Sequence, residues 1–290
     1  MNLKNLKKEN LNFISSISPN WFFLDTGIHD GIFNMSCDNF LLDSISNNSI
    51  KLPLLRVYGW LNPTLSIGAN QSTFPFTAGP ATFPPEARPR PFRAGRYPPE
   101  LRHTVEARLP RLYGRLPSDA THSGKDFVDN ILVQNLPIVK RVTGGQAVLH
   151  GLPEDELTYS VFINYGKVKQ LYFEIGEVLL RFLTAYDLKG ELGYSSNSYF
   201  KNFDCFNSKT EADIVVNDTK VIGSAQCRKK EYVLQHGSIK LDIVRKLSGK
   251  NTDFEQAKVN LKKAFQDKLK IKFIDYTLTG SSNTLCGNNN

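Results

Sequence analysis

Cysteine is scarce and scattered in this chain of 290 residues. Cys37, Cys205, Cys227 and Cys286 form no CxxC pair and have no histidine at metal-ligand spacing. A disulfide framework and a metal site are therefore not expected, and free thiols in a reducing compartment fit the pattern. No run of about 18 apolar residues exists, so no membrane-spanning helix is expected. The N-terminus, MNLKNLKKENLNFISSISPNW, lacks the continuous apolar stretch and small-residue cleavage site of a secretory signal. It is also poorer in arginine than organelle transit peptides usually are. The expected location is cytoplasmic, with no membrane partner.

Basic charge of the density that binds nucleic acid is missing as well. The net charge is +8, but the tract from Ser72 to Gly124 supplies half of it, with eight Arg against four acids. The remainder is spread over a Lys-rich chain, so a nucleic-acid partner is not expected. A solvated basic surface explains the charge, and it would also steer an acidic protein partner.

What the chain does have is apolar material, 40% of residues, with 19 Phe and 11 Tyr. That suffices for a globular core. One tract stands apart. Ser72 to Gly124 holds ten of the fifteen prolines and eight of the thirteen arginines, and no lysine. Runs such as FPPEARPRPFRAGRYPPE remove backbone donors and disfavour helix before each proline. The expectation over 72–130 is an irregular Pro/Arg-rich insertion, with one short helix near 101–109. It reads either as a lid or partner-docking loop, or as a foreign insertion or sequence artefact. Residues 1–20 are expected to be a flexible N-terminus, 21–275 a catalytic domain interrupted by that insertion, and 276–290 a disordered tail.

Periodicity predicts an amphipathic helix over 33–45 and strands over 54–60 and 64–68. Beyond the tract, strands at 137–142 and 146–150 flank a Thr143-Gly144-Gly145 turn. ELTYSVFIN (156–164) alternates as a strand, and 171–188 is the strongest helix. ADIVVNDTKVIGSA (212–225) reads as two strands joined at Asn217 and Asp218, residues that tolerate the positive φ of a tight hairpin. A strand over 232–243 and a helix over 254–269 complete the pattern. The predicted class is α+β, with mixed, mostly antiparallel sheets and helices packed on one side.

Four clusters carry possible chemistry. In KRVTGGQAVLH (140–150), Gly144 and Gly145 let backbone amides approach an oxygen-bearing ligand, with Arg141, Thr143 and His150 around them. In DIVVNDTKVIGSAQ (213–226), Lys220 followed by Gly223 and Ser224 can set an ammonium near a carbonyl or phosphate. The bland alternative for Lys220 is an exposed edge-strand lysine. Cys205, in the polar stretch FDCFNS, would become a nucleophile if Lys220 lay close in space, whereas Cys37 reads as structural. His236, in LQHGSI, is either an acid or base, or a strand histidine tied to a neighbouring carbonyl, the preferred reading.

Together these segments resemble the biotin and lipoate A/B protein ligase family. FNMSCDNFLL is similar to its N-M-A-x-D-E-A-L-L helix, and LRVYGWLNPTLSIGANQ to its R-x-Y-x-W-x-P-x-x-S-x-G-x-x-Q segment. KRVTGGQAVLHGLPEDELTYSV resembles its Gly-rich loop, and DIVVNDTKVIGSAQCRKKEYVLQHGSI its lysine strand and the next. The order holds over about residues 20–245. Departures are Lys140, Gln146, Asn39 and Phe40, the long 72–130 tract, and the missing Gly- and Arg-rich loop of biotin ligases.

The resemblance implies a biotin/lipoate ligase-like catalytic domain, closest to cysteine-dependent octanoyltransferases. In that branch a cysteine before a Phe, here Cys205 and Phe206, precedes the lysine strand. The implied activity moves an octanoyl or lipoyl group from an acyl-carrier-protein thioester to a lysine of a lipoyl domain or glycine-cleavage H protein. Cys205 would form the acyl-enzyme and Lys220 would hold the carbonyl and stabilise the thiolate. Arg141, Thr143, Gly144, Gly145, His150, Gly223 and Ser224 would bind substrate. Val148, Leu157 and Tyr159 are candidate linings of the acyl slot, with plain core an equal reading for Val148 and Tyr159. A monomer without cofactor is expected. ATP and Mg enter only for the alternative, a lipoate-protein ligase working through an acyl-adenylate. A third possibility is an inactive member acting as a binding protein.

Overall fold

The computed structural model describes residues 18–71, 136–166, 168–193 and 213–278. Cys205, the 72–130 insertion, the short helix expected near 101–109, and the 281–290 tail segment SSNTLCGNNN lie outside them. The described residues form eleven strands and four α-helices.

The chain enters with β1 (Asn20–His29) and α1 (Gly31–Ser46). Asp30 caps α1, its Oδ1 accepting the Phe33 N–H at 2.8 Å, which satisfies one of the orphan donors of the first turn. β2 (Leu54–Trp60), β3 (Thr64–Ile67), β4 (Ile138–Lys140), β5 (Val148–His150) and β6 (Glu156–Asn164) follow. Then come α2 (Val168–Leu183), β7 (Glu191–Leu192), β8 (Ile214–Val216), β9 (Thr219–Lys229) and β10 (Tyr232–Lys240). α3 (Leu241–Ser248), α4 (Phe254–Leu269) and β11 (Lys272–Asp275) end the fold.

Eight strands form one mixed sheet in the order β11-β1-β2-β6-β10-β9-β8-β7, and β4-β3-β5 form a second. Only β1 with β11 and β2, and β3 with β4, pair in parallel. The α+β plan with mostly antiparallel sheets is therefore what the molecule has. Alternation along the strands gives the large sheet two different faces. Val57, Tyr159, Val161, Ile222 and Ile239 face one way, and with α2, α3 and α4 they build the main apolar core. Leu54, Phe162 and Leu234 face the other way, beneath Cys37, Leu41, Leu42 and Ile45 of α1. So helices cover both faces, not the single side expected. The burial of Cys37 in that second cluster fits its structural reading.

Three elements escaped the periodicity. β1 carries a register shift between Asp25 and Gly27, which breaks its alternation. β11 is four residues long. α3 begins at Leu241, cutting short the strand expected over 232–243; the alternation of Leu241 and Ile243 mimics a strand. The Asn217-Asp218 hairpin forms as foreseen, with φ of 47° and 62°.

α1 is bolted to the sheet by charge as well as by apolar contact. Arg56 of β2, fully buried, donates to Asp38 Oδ1 at 2.6 Å, to Asn34 Oδ1 at 2.9 Å and to the Asn34 carbonyl at 3.0 Å. Asp38 Oδ2 also accepts from Ser160 at 2.9 Å. Burial alone would push the Asp38 carboxyl up, but Arg56 and the His236 hydrogen bond hold it below the usual carboxylate range. Of the departures from the family pattern, Asn39, Phe40 and Lys140 are exposed, which is why they disturb none of this.

Candidate functional site

Between the polar part of the large sheet and the small sheet lies a narrow cleft, open to solvent at its mouth. Its floor is a cross-strand row. Tyr58 pairs with Thr158, Thr158 with Ser238, and Ser238 with Gly223, so four strands present one residue each to the same face. His236 and Ala225 extend the floor by one row. Met35 of α1, Trp60 of β2, and Val148 and His150 of β5 form the walls, with Arg141 and Gly145 of the glycine loop. Asp213, Ser224 and Gly237 complete the lining.

Lys220 stands behind this cleft, next to the lining residue Asp213, because of a bulge. Ile222 pairs with Ile214 and Lys220 with Val215, leaving Val221 as an extra residue in β9. Val221 and Ile222 both sink into the main core, so the alternation resets and Lys220 is released from the core side. Its Nζ lies 3.0 Å from Asp213 Oδ2, both side chains being buried. Lys220 is thus not the exposed edge lysine of the bland reading.

The glycine loop is held by a cation. Arg141 Nη1 donates to the Ser66 carbonyl and Oγ at 2.8 Å each, and Nη2 donates to the Gln146 and Gly144 carbonyls at 2.8 and 3.2 Å. Gly145 has φ +96°, and a Cβ on Gly68 would stand 2.1 Å from the Gly145 oxygen. Glycine is needed at both positions, one for conformation and one for approach. Thr143 lies behind the wall, where its Oγ1 meets His236 Nε2 at 2.6 Å. His236 Nδ1 faces Asp38 Oδ2 at 3.1 Å. Its partners are therefore a carboxylate and a hydroxyl, not the carbonyl expected, because the row behind it carries the buried Arg56–Asp38 pair.

The structure brings Arg141, Gly145, His150, Gly223 and Ser224 into one lining, with Lys220 beside it through Asp213. Gly144 and Thr143 sit just outside. Of the expected slot linings only Val148 holds its place. Leu157 and Tyr159 point to the opposite face of β6 and belong to the core; parity against Thr158 decides it. Tyr159 still touches the site, its Oη 2.9 Å from Ser224 Oγ, and burial pushes its phenol up to about 12. Met35, Tyr58, Trp60, Thr158, Asp213, Gly237 and Ser238 were not picked out from the sequence. The shared parity of Tyr58, Trp60, Thr158 and Ser238 was the available signal.

His150 is clamped between Glu156 and Ser66, and its ring stacks on Trp60 at 3.7 Å. Burial lowers its pKa to about 4, the opposing pull of Glu156 being offset by Lys240 and Arg141. Burial would raise Glu156, but Lys240 and His150 hold it far below the carboxylate range. Between pH 6.5 and 4 the unfolded chain binds a proton at His150 that the folded chain refuses, so stability falls as pH drops through that window. Below it, Asp38 and Glu156 lose the stabilisation they give as anions. The unfolding free energy from urea titrations should decline from pH 6.5 to 4 by about a few kcal/mol, and His150→Gln should flatten that slope.

Residues 123–271 match the family described as lipoyl protein ligase A/B catalytic domain, about half of the chain. The chain belongs to that family. Among curated relatives, the octanoyltransferase LipM of Oceanobacillus iheyensis is 27% identical over 229 residues, covering 77% of this chain and 64% of that protein. The octanoyltransferase LipM of Kyrpidia tusciae is 32% identical, covering 77% and 66%. The chain thus spans about two thirds of the length of these relatives. Among solved structures, a lipoate protein ligase from T. acidophilum with bound lipoic acid superposes with a TM-score of 0.59 at 16% identity, covering 92% of each chain. A lipoate-protein ligase A bound with ATP gives 0.58 at 17% identity, again covering 92% of each. These likenesses carry the fold. No described helix is long and apolar enough to cross a membrane, and no metal-holding cluster occurs among the described residues.

Proposed function

We propose that this family member is an octanoyltransferase, moving an octanoyl group from an acyl-carrier-protein thioester to the lysine of a lipoyl domain. The observation that carries the reading is the buried Lys220–Asp213 pair at the wall of a cleft lined by Met35, Trp60, Val148 and three glycines. Such a cleft offers an acyl chain apolar contact and its carbonyl a nearby cation. The names of the curated relatives support the same activity.

Cys205 is the nucleophile in this reading. Its thiolate attacks the thioester carbonyl, the carrier thiol leaves with a proton, and an acyl-enzyme remains. The acceptor amine then attacks, the C–S bond breaks, and the thiol returns as the amide forms. Lys220 and the Gly145 amide would face the oxyanion in both steps.

The test is the donor. Octanoyl-acyl carrier protein without ATP should label a lipoyl domain, followed by intact-mass measurement, while free lipoate with ATP should not. Labelling only in the second mixture overturns the proposal in favour of the ligase, and failure of both with retained lipoyl-domain binding favours a binding protein.

A further inference from the structure

The cleft chemistry above leaves one buried array without a task. Lys240 Nζ donates to the Leu149 carbonyl at 2.9 Å and to Glu156 Oε2. Glu156 Oε2 accepts the Gly151 N–H at 3.1 Å, and Oε1 lies 2.6 Å from His150 Nδ1. His150 Nε2 lies 2.6 Å from Ser66 Oγ. Ser66 in turn receives Arg141, which holds the Gly144 and Gln146 carbonyls.

Serine, histidine and glutamate in that order have the connectivity of a hydrolase relay. Ser66 is no nucleophile here. It is fully buried, it does not line the cleft, and Arg141 Nη1 already sits 2.8 Å from its Oγ. The array must act through something else.

Its proton directions are determined. An ionised Glu156 only accepts, so His150 carries its proton on Nδ1. Nε2 of the neutral ring then accepts, and the Ser66 hydroxyl donates to it. That turns the Ser66 lone pairs toward Arg141 and adds its oxygen to the acceptors that orient the guanidinium. Arg141 pins the Gly144 carbonyl, and in a planar trans peptide the N–H of Gly145 points the opposite way from that carbonyl. Gly145 lines the cleft.

We propose that Glu156, His150 and Ser66 are positioning residues that act through Arg141 to fix the direction of the Gly145 N–H at the cleft wall. What that N–H does, holding the oxyanion of acyl transfer, rests on the function proposed above.

Two measurements on the full chain decide it. Long-range ¹H–¹⁵N spectra should show His150 as the Nδ1–H tautomer from pH 6 to 8. An Nε2–H tautomer or an imidazolium there overturns the relay. Ser66→Ala should then move the Gly145 amide resonance and lower kcat for octanoyl transfer by about 30-fold or more, approaching the roughly 100-fold loss of a removed oxyanion donor. KM for the thioester should stay within about threefold, since the donor acts on the transition state. A folded Ser66→Ala protein with wild-type kcat, or with only KM raised, overturns the proposal. If Ser66→Ala does not fold, the tautomer decides alone. If wild-type protein transfers no octanoyl group, the functional reading falls, while the tautomer and the Gly145 resonance still judge the relay.

Discussion

Lys220→Met should lower octanoyl transfer by about a thousandfold, the scale on which a removed oxyanion-stabilising group is felt. Two effects are mixed in that loss. The substitution deletes the ammonium, and it also strips the buried Asp213 of its partner across 3.0 Å. Breaking a buried pair from one side costs about 3–5 kcal/mol, so the single variant should also melt earlier. The double variant Lys220→Met with Asp213→Asn separates the two. Replacing both charges removes the stranded carboxylate, so most of the lost stability should return. Activity should not return with it. Thermal melts beside transfer rates check this. Recovery of activity along with stability would mean that Lys220 serves only the fold.

The same lysine shows where the sequence was readable and where it was not. Its place on a strand after a tight hairpin was visible from Asn217 and Asp218, and both indeed take positive φ. Its burial was not visible. That depends on the extra residue at Val221, and a bulge leaves no mark on an alternating pattern except a pair of neighbouring apolar residues. The cleft floor was half legible for a related reason. Period-two alternation in ELTYSVFIN shows that Thr158 and Tyr159 face opposite ways, but not which face is the site. Slot and core were equal readings for Tyr159, and the buried Arg56–Asp38 pair decides between them by making the other face the polar one. Arg56 and Asp38 are 18 residues apart in sequence and meet only through packing. The glycine loop was legible because its residues are contiguous: Arg141 through Gly145 carry conformation and cation in one short run. Asp213, seven residues before Lys220 and across the hairpin from it, carries no signal in the sequence, since a carboxylate beginning a strand looks like surface until its partner is known.

Cys205→Ser should abolish transfer while leaving the melting temperature unchanged. Oxygen replaces sulfur with little change in shape, so packing gives no reason for a stability loss. The chemistry changes a great deal. A thiol with an ordinary pKa near 8.5 supplies a few per cent of thiolate at neutral pH, and a nearby cation supplies more. A serine hydroxyl supplies practically no alkoxide without a base beside it. The described cleft offers no such arrangement: His150 is held neutral and spent on Ser66 and Glu156, and His236 is engaged with Asp38 and Thr143. The expected loss is therefore at least about a thousandfold. Intact-mass spectra should show an octanoyl adduct on wild-type protein incubated with octanoyl-acyl carrier protein, and none on the variant. Retained transfer by Cys205→Ser would rule out the acyl-enzyme and leave direct attack by the acceptor lysine on a thioester bound in the same cleft. In that case Lys220→Met would still be inactive, so the pair of variants distinguishes a cysteine mechanism from a single displacement. Loss in both, with the adduct seen only when Cys205 is present, is the outcome expected of the two-step transfer.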